Sequence, residues 1–223
     1  MAFTTRSAQV LTRWLALALA LACLPAPMPA PALDNNRLME VATQRGAKAV
    51  AGAQALIKLI DRASKLDEVA RLTLVNSFFD DRIRYAEDIE VWGVEDYWAS
   101  PLEVLQKGAG DCEDYAIGKY MTLASAGVPI TKLRMVYVRA MLNGKSVAHM
   151  VLAYYAQPGA EPLVLDNLIN EVKPASQRPD LTPVFSFNSE GLWSGVGASS
   201  MGNPVARLSQ WRDLLAKVKE EGF

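Results

Sequence analysis

Cys112 follows the run Gly108-Ala109-Gly110-Asp111 and opens an apolar stretch that stops at Gly127 and Pro129. That context predicts a thiol on the first turn of a helix. Free N–H groups and partial positive charge there favour a thiolate and can cradle an oxyanion. A thiolate nucleophile needs a base. His149 is the single histidine of the 223-residue chain, so any Cys–His mechanism must use it. A third group must orient the imidazole through its other nitrogen, and Asp166, after Leu163-Val164-Leu165, is the candidate. The chemistry these three residue types support together is acyl transfer through a thioester. Taken singly, each has a plainer explanation. Free cysteine packs as a small apolar group, a histidine in an apolar strand is ordinarily a satisfied core residue, and Asp166-Asn167 favours a turn.

The elements that must hold these residues follow from periodicity. Leu38, Val41, Ala49, Ala53, Leu56, Ile57 and Ile60 predict helix over residues 34–63, and a second helix is expected from Leu66 to about Arg82. Residues 84–100 are aromatic and acidic without a clear period. Pro101 fits the first turn of a short helix capped by Ser100. Beyond the helix that begins near Cys112, the runs Leu133–Arg139, Val147–Tyr155 and Leu163–Leu165 read as strands. Asn143-Gly144 joins the first two as a tight hairpin. Residues 174–204, rich in Pro, Ser, Gly and Asn, are expected to be irregular, and Leu208–Val218 to close the chain as a helix. Helices first and strands later predict an α+β domain.

Composition narrows the class of protein. Hydrophobic residues make up 51% and charged residues 21%, which excludes wholesale disorder. The formal net charge is −1 and the basic residues are scattered, so no nucleic-acid partner is expected. Residues 1–32 read as a signal peptide: Arg6 and Arg13, an apolar run from Trp14 to Leu24, then a Pro/Ala exit with cleavage near 30–32. An uncleaved anchor and a lipoprotein modified at Cys23 are the alternatives. Residues 33–223 would then be the working domain, exported to the periplasm. Its one cysteine would be Cys112, so no intramolecular disulfide would form.

The stretch Trp98-Ala99-Ser100-Pro101, Glu103, Gly108-Ala109-Gly110-Asp111-Cys112-Glu113-Asp114-Tyr115-Ala116 and Lys119 resembles the nucleophile region of the bacterial transglutaminase-like cysteine proteinases, the LapG-type periplasmic proteases. Ala148-His149-Met150-Val151-Leu152 resembles their histidine strand and Leu165-Asp166-Asn167 their aspartate segment. The resemblance spans about residues 35–220. It implies a papain-like/transglutaminase-like fold, with a helical N-terminal part packed on an antiparallel sheet, and a Cys112–His149–Asp166 triad. It further implies calcium-dependent proteolysis of the N-terminal region of very large surface adhesins, often beside paired alanines, which releases them and promotes biofilm dispersal. The expected partner besides the substrate is the periplasmic domain of an inner-membrane cyclic-di-GMP receptor. Exposed aromatic residues would serve such docking; Trp92, Trp193 and Trp211 are candidates, each of which can equally be core.

Calcium also has an argument from the residues themselves. Asp111, Glu113 and Asp114 surround Cys112, and three carboxylates would oppose thiolate formation. A Ca²⁺ ion held by their oxygens would offset that charge. Helix capping is the alternative, and it accounts for one or two acids more easily than three. Further ligands from residues 84–96 are expected without assignment. Cys112 N–H is one expected oxyanion donor; the Trp98 indole is a second candidate, against a plain packing role. Two other functions stay open at this point: a transglutaminase or amidase using the same triad, and a non-catalytic binding module.

Overall fold

The computed structural model describes residues 33–197 and 199–223; the expected signal peptide, Cys23 included, lies outside the described residues. The first expected helix is two. α1 (Asn35–Arg45), capped by Asp34, ends at Gly46, and α2 (Ala47–Ser64) starts there. Gly46 has φ 101°, a conformation that costs an L side chain heavily, and its N–H closes α1 on Ala42 and Thr43. The apolar period runs across this break, because both helices turn one face to the same core, so periodicity alone does not reveal it. α3 (Glu68–Arg82) follows, capped by Asp67.

A short strand β1 (Arg84–Tyr85) and one turn of helix, α4 (Asp88–Val91), lead to α5 (Pro101–Lys107). Ser100 caps α5 in a reciprocal box with Glu103, and Pro101 occupies the first turn. β2 (Ala109–Gly110) then pairs in parallel with β1, Arg84 against Ala109 and Tyr85 against Gly110. This two-residue ladder ties the acidic segment to the turn before Cys112.

α6 (Cys112–Ser125) is the central helix, with every residue from Asp114 to Leu123 buried. A Cβ on Gly118 would lie 2.4 Å from the Phe79 ring, so α3 and α6 approach at a point where only hydrogen fits. Against these helices lies a seven-stranded antiparallel sheet in the order β6-β5-β4-β3-β7-β8-β9. Its members are β3 (Leu133–Leu142), β4 (Lys145–Tyr154), β5 (Leu163–Leu165), β6 (Lys173–Pro174), β7 (Leu181–Phe187), β8 (Leu192–Ser194) and β9 (Ser200–Gly202). Asn143 and Gly144 both sit at positive φ, 51° and 76°, the requirement of the two-residue turn that joins β3 to β4. Leu133, Met135, Met150, Leu152 and Tyr154 join the helical core. Val136, Val138, Val151, Ala153 and Val164 form a smaller cluster of their own. Two α-helices, α7 (Pro204–Arg207) and α8 (Ser209–Glu220), complete the chain.

The expectation that residues 174–204 are irregular is corrected, since β7, β8 and β9 lie there. Pro183, one of the prolines in this stretch, lies inside β7. Its missing donor is tolerated because the β3–β7 register slips at this point, with Val184 bulged between paired Phe185 and Pro183. β8 pairs only with Phe185–Phe187, so Pro183 has no second neighbour to satisfy. Among the described residues no helix is long and apolar enough to cross a membrane.

Candidate active site and metal centre

Cys112 is the first residue of α6 and the free cysteine of the described residues, partly buried. β4 runs past this helix end, with the Met150 backbone amide near the Cys112 sulfur. His149 is the residue before Met150 on the same strand. The β4–β5 register pairs Leu152 with Leu165; one further step brings Asp166 opposite Val151, two residues from His149. Across this gap His149 Nε2 donates to Asp166 Oδ1 at 2.7 Å, both side chains being buried. A carboxylate only accepts, so this bond puts the proton of a neutral His149 on Nε2 and leaves Nδ1 bare.

Asp166 is anchored on both oxygens. Oδ1 also accepts the Leu168 N–H at 3.1 Å, and Oδ2 accepts Arg178 Nη2 at 2.6 Å. Burial pushes the Asp166 carboxyl up, but the bonds and charges of His149 and Arg178 outweigh it and hold the group below the usual carboxylate range.

The thiol itself sits among acids. Cys112 Sγ donates to Glu113 Oε2 at 3.0 Å. Burial first, then the charges of Glu113 and Asp111, push the thiol up, with only the Met150 amide opposing. Asp111 stands at the N-cap position, yet its side chain makes no cap hydrogen bond, which removes capping as its explanation. Asp88, Asp111 and Asp114 are all buried, with ligand oxygens within 4.8 Å of one another. In each of the three, one oxygen is buried with no partner: Asp88 Oδ1, Asp111 Oδ1 and Asp114 Oδ2. The other oxygens of Asp88 and Asp114 are held by the Tyr97 and Ala99 amides, so the loop before α5 braces the cluster. Burial and the charges of Glu113, Asp114 and Asp88 push Asp111 up to about 9. Burial leads the rise of Asp88 to about 6. Three buried carboxylates within reach of one another, each keeping one unpartnered oxygen, suit a hard divalent cation such as Ca²⁺. Glu113 joins Asp88 and the exposed Asp96 in a second, adjoining trio.

Residues 84–96 were expected to add acids to the cluster, and Asp88 is the one that joins Asp111 and Asp114 in it. It reaches the site through the β1–β2 ladder, a tertiary pairing with no periodic trace. Arg178 and its partner Asp180 lie in the stretch read as irregular and carry no motif. The Trp98 ring stacks on Phe187 and meets Trp211 edge-on, which commits it to the aromatic core. Trp211 is fully buried, and Trp92 and Trp193 are half-buried.

A model of the bacterial transglutaminase-like cysteine proteinase family matches residues 51–183, a span that includes Cys112, His149, Asp166 and the acidic cluster. The fold superposes on solved structures of LapG from Legionella pneumophila. An EGTA-treated form gives a TM-score of 0.74 at 39% identity, covering 84% of this chain and 99% of that one. A calcium-bound form gives 0.72 at 38%, covering 82% and 98%. No significant match occurs among curated protein sequences. The chain belongs to the bacterial transglutaminase-like cysteine proteinase family. It is a cysteine protease with an α+β, transglutaminase-like fold.

Proposed function

We propose that this protein is a calcium-dependent periplasmic endopeptidase that cuts the N-terminal region of large surface adhesins beside paired alanines, with Cys112, His149 and Asp166 as its catalytic residues. The observation that carries the reading is the buried His149–Asp166 hydrogen bond on a strand packed against the helix that Cys112 opens, with an unpartnered oxygen on each of the buried Asp88, Asp111 and Asp114.

In the mechanism, the bare Nδ1 of His149 takes the Cys112 proton, and the thiolate attacks the substrate carbonyl. The Cys112 N–H, first on its helix, faces the oxyanion as it develops. His149 then protonates the leaving amine, and afterwards draws a proton from the water that opens the thioester. Asp166 keeps the imidazole in one tautomer throughout. Asp88, Asp111 and Asp114 would hold Ca²⁺, with Glu113 and Asp96 at its rim; when bound, the ion offsets the negative charge that otherwise opposes the thiolate. A calcium-bound structure of the similar LapG from Legionella pneumophila supports this assignment. The substrate class, and control by the periplasmic domain of an inner-membrane cyclic-di-GMP receptor, rest on the likeness of the nucleophile region.

The test incubates the purified protein with an Ala-Ala-containing adhesin N-terminal fragment and a primary amine, with Ca²⁺ and with a chelator. Fragments only with calcium are expected. Equal cleavage with chelator removes the metal from the reading. Amine incorporation without fragments makes the protein a transferase, and no product from folded protein removes the substrate class.

A further inference from the structure

Arg178 has no part in the mechanism above, yet its side chain is 1% exposed and charged. It follows a single 3-10 turn, Ala175–Gln177, after β6. Its neighbours in an apolar recess of about 140 Å³ include Val138, Val151, Val164 and Leu181. Burying a guanidinium there is costly unless its donors are met. Nη2 is shared between Asp166 Oδ2 at 2.6 Å and Asp180 Oδ2 at 2.8 Å, and Nε donates to Asp180 Oδ1 at 3.0 Å. Asp180 thus grips the fork through Nε and Nη2, Nη2 in turn grips the one Asp166 oxygen that His149 does not use, and Nη1 is left buried without a partner.

We propose that Arg178 is a positioning residue for catalysis: clamped by Asp180, it fixes the Asp166 carboxylate so that Oδ1 alone is offered to His149 Nε2, and so selects the imidazole tautomer. This rests on the triad reading above. Without the fork, the carboxylate can swing off the ring, and the Nε2–H then loses the acceptor that favours it over the Nδ1–H form. A planar, two-point donor suits this task where a lysine does not. The charges that Asp166 feels from other elements are Asp80 on α3 and Lys119 on α6. These two are paired with each other at 2.6 Å, so neither replaces Arg178 as its partner. Asp180 and Arg178 nearly cancel, which leaves Asp166 as the net charge facing the imidazole.

The single histidine makes the test direct, because ¹⁵N-histidine labelling yields one imidazole. In a Cys112→Ala background, where no thiol shares the proton, neutral His149 is expected wholly as the Nε2–H tautomer. Adding Arg178→Met is expected to give a mixture of tautomers. With Cys112 intact, Arg178→Met is expected to lower kcat on the adhesin fragment about 10–100-fold, the size of a small misplacement of a reacting group. KM should change less than about threefold. A folded Arg178→Met protein with the wild-type tautomer and kcat overturns the proposal. Should that variant fail to fold, the same two readings are taken on Arg178→Lys, whose ammonium cannot hold both acids in one plane. Unchanged tautomer and kcat there overturn it equally. His149→Ala is run alongside; if it keeps activity the triad reading fails, whereas the tautomer result still reports on Arg178.

Discussion

The sulfur of Cys112 sits between two opposing influences, a helix N-terminus and the Met150 amide on one side, and the carboxylates of Asp111 and Glu113 on the other. Replacing Cys112 by alanine removes only the sulfur from a half-buried place. Cleavage should fall to background while the melting curve stays within a few degrees, since no helix cap is lost and the one side-chain bond given up, to Glu113, is only partly buried. Asp88 is the acid whose importance is least evident from its neighbours in sequence. Asp88→Asn keeps the acceptor for the Tyr97 amide but removes one of three buried charges. Titration calorimetry should show calcium affinity lower by about tenfold or more, about 1.4 kcal/mol for each factor of ten. Asp96→Asn, at an exposed rim position, should have a smaller effect.

At the scale of elements, the site is the meeting of α6 with β4 and with the β1–β2 ladder. Gly110 shows how close the approach is: a Cβ there would lie 2.5 Å from Asp114 Oδ2, the same oxygen that is left free for a cation. One turn further along α6, the wholly buried Lys119 meets Asp80 of α3 at 2.6 Å. Asn76 bonds the other Asp80 oxygen and the Asn170 carbonyl, linking α3 to the loop after Asp166. Burial pushes Asp80 up and Lys119 down, each opposed by the charge of the other. Lys119→Ala should cost about 3–5 kcal/mol, the loss expected when one partner of a buried pair is removed. Denaturant unfolding followed by Trp fluorescence checks this, and Lys119→Met with Asp80→Leu should recover much of it.

Across the whole molecule, the last residues clasp the first helices. Glu221, buried, accepts Ser100 Oγ at 2.9 Å and pairs with Arg45 at 2.7 Å, while Gly222 accepts the Asp34 N–H. Glu221→Ala should cost about 1–3 kcal/mol, the scale for stranding a buried hydroxyl and its charged neighbour. Calcium-dependent cleavage should survive at a temperature where the variant is folded. Acid stability has a separate source. Asp166 and Asp180 are both held below the ordinary range in the folded chain. The unfolded chain therefore binds more protons between the folded values and the ordinary value near 3.9, and stability falls as pH drops through that window. Unfolding free energies measured from about pH 5 to 2 should fall steeply in the wild type and less so in Asp180→Asn.

The nucleophile region and the α+β order were legible in the residues themselves, because helix starts, caps and the Asn143-Gly144 turn are local chemistry. The same local logic singled out Cys112, His149 and Asp166 as reactive types, and three acids about a thiol as one charge too many for capping. The break at Gly46 escaped because the apolar period continues through it. β7 escaped because its stretch is rich in Pro, Ser, Gly and Asn, and only the bulge at Val184 accommodates Pro183 in a strand. Asp88, Arg178 and Asp180 could be weighed only once the chain had folded. Asp88 reaches the acids through a two-residue parallel pairing, and Arg178 reaches Asp166 from a loop twelve residues on. Residue type and spacing decide which groups are able to react and where helices begin. Which carboxylates come within reach of one another, which of their oxygens stay unpaired, and which cation holds the aspartate behind the histidine, depend on contacts between distant segments, and those are determined by burial in three dimensions.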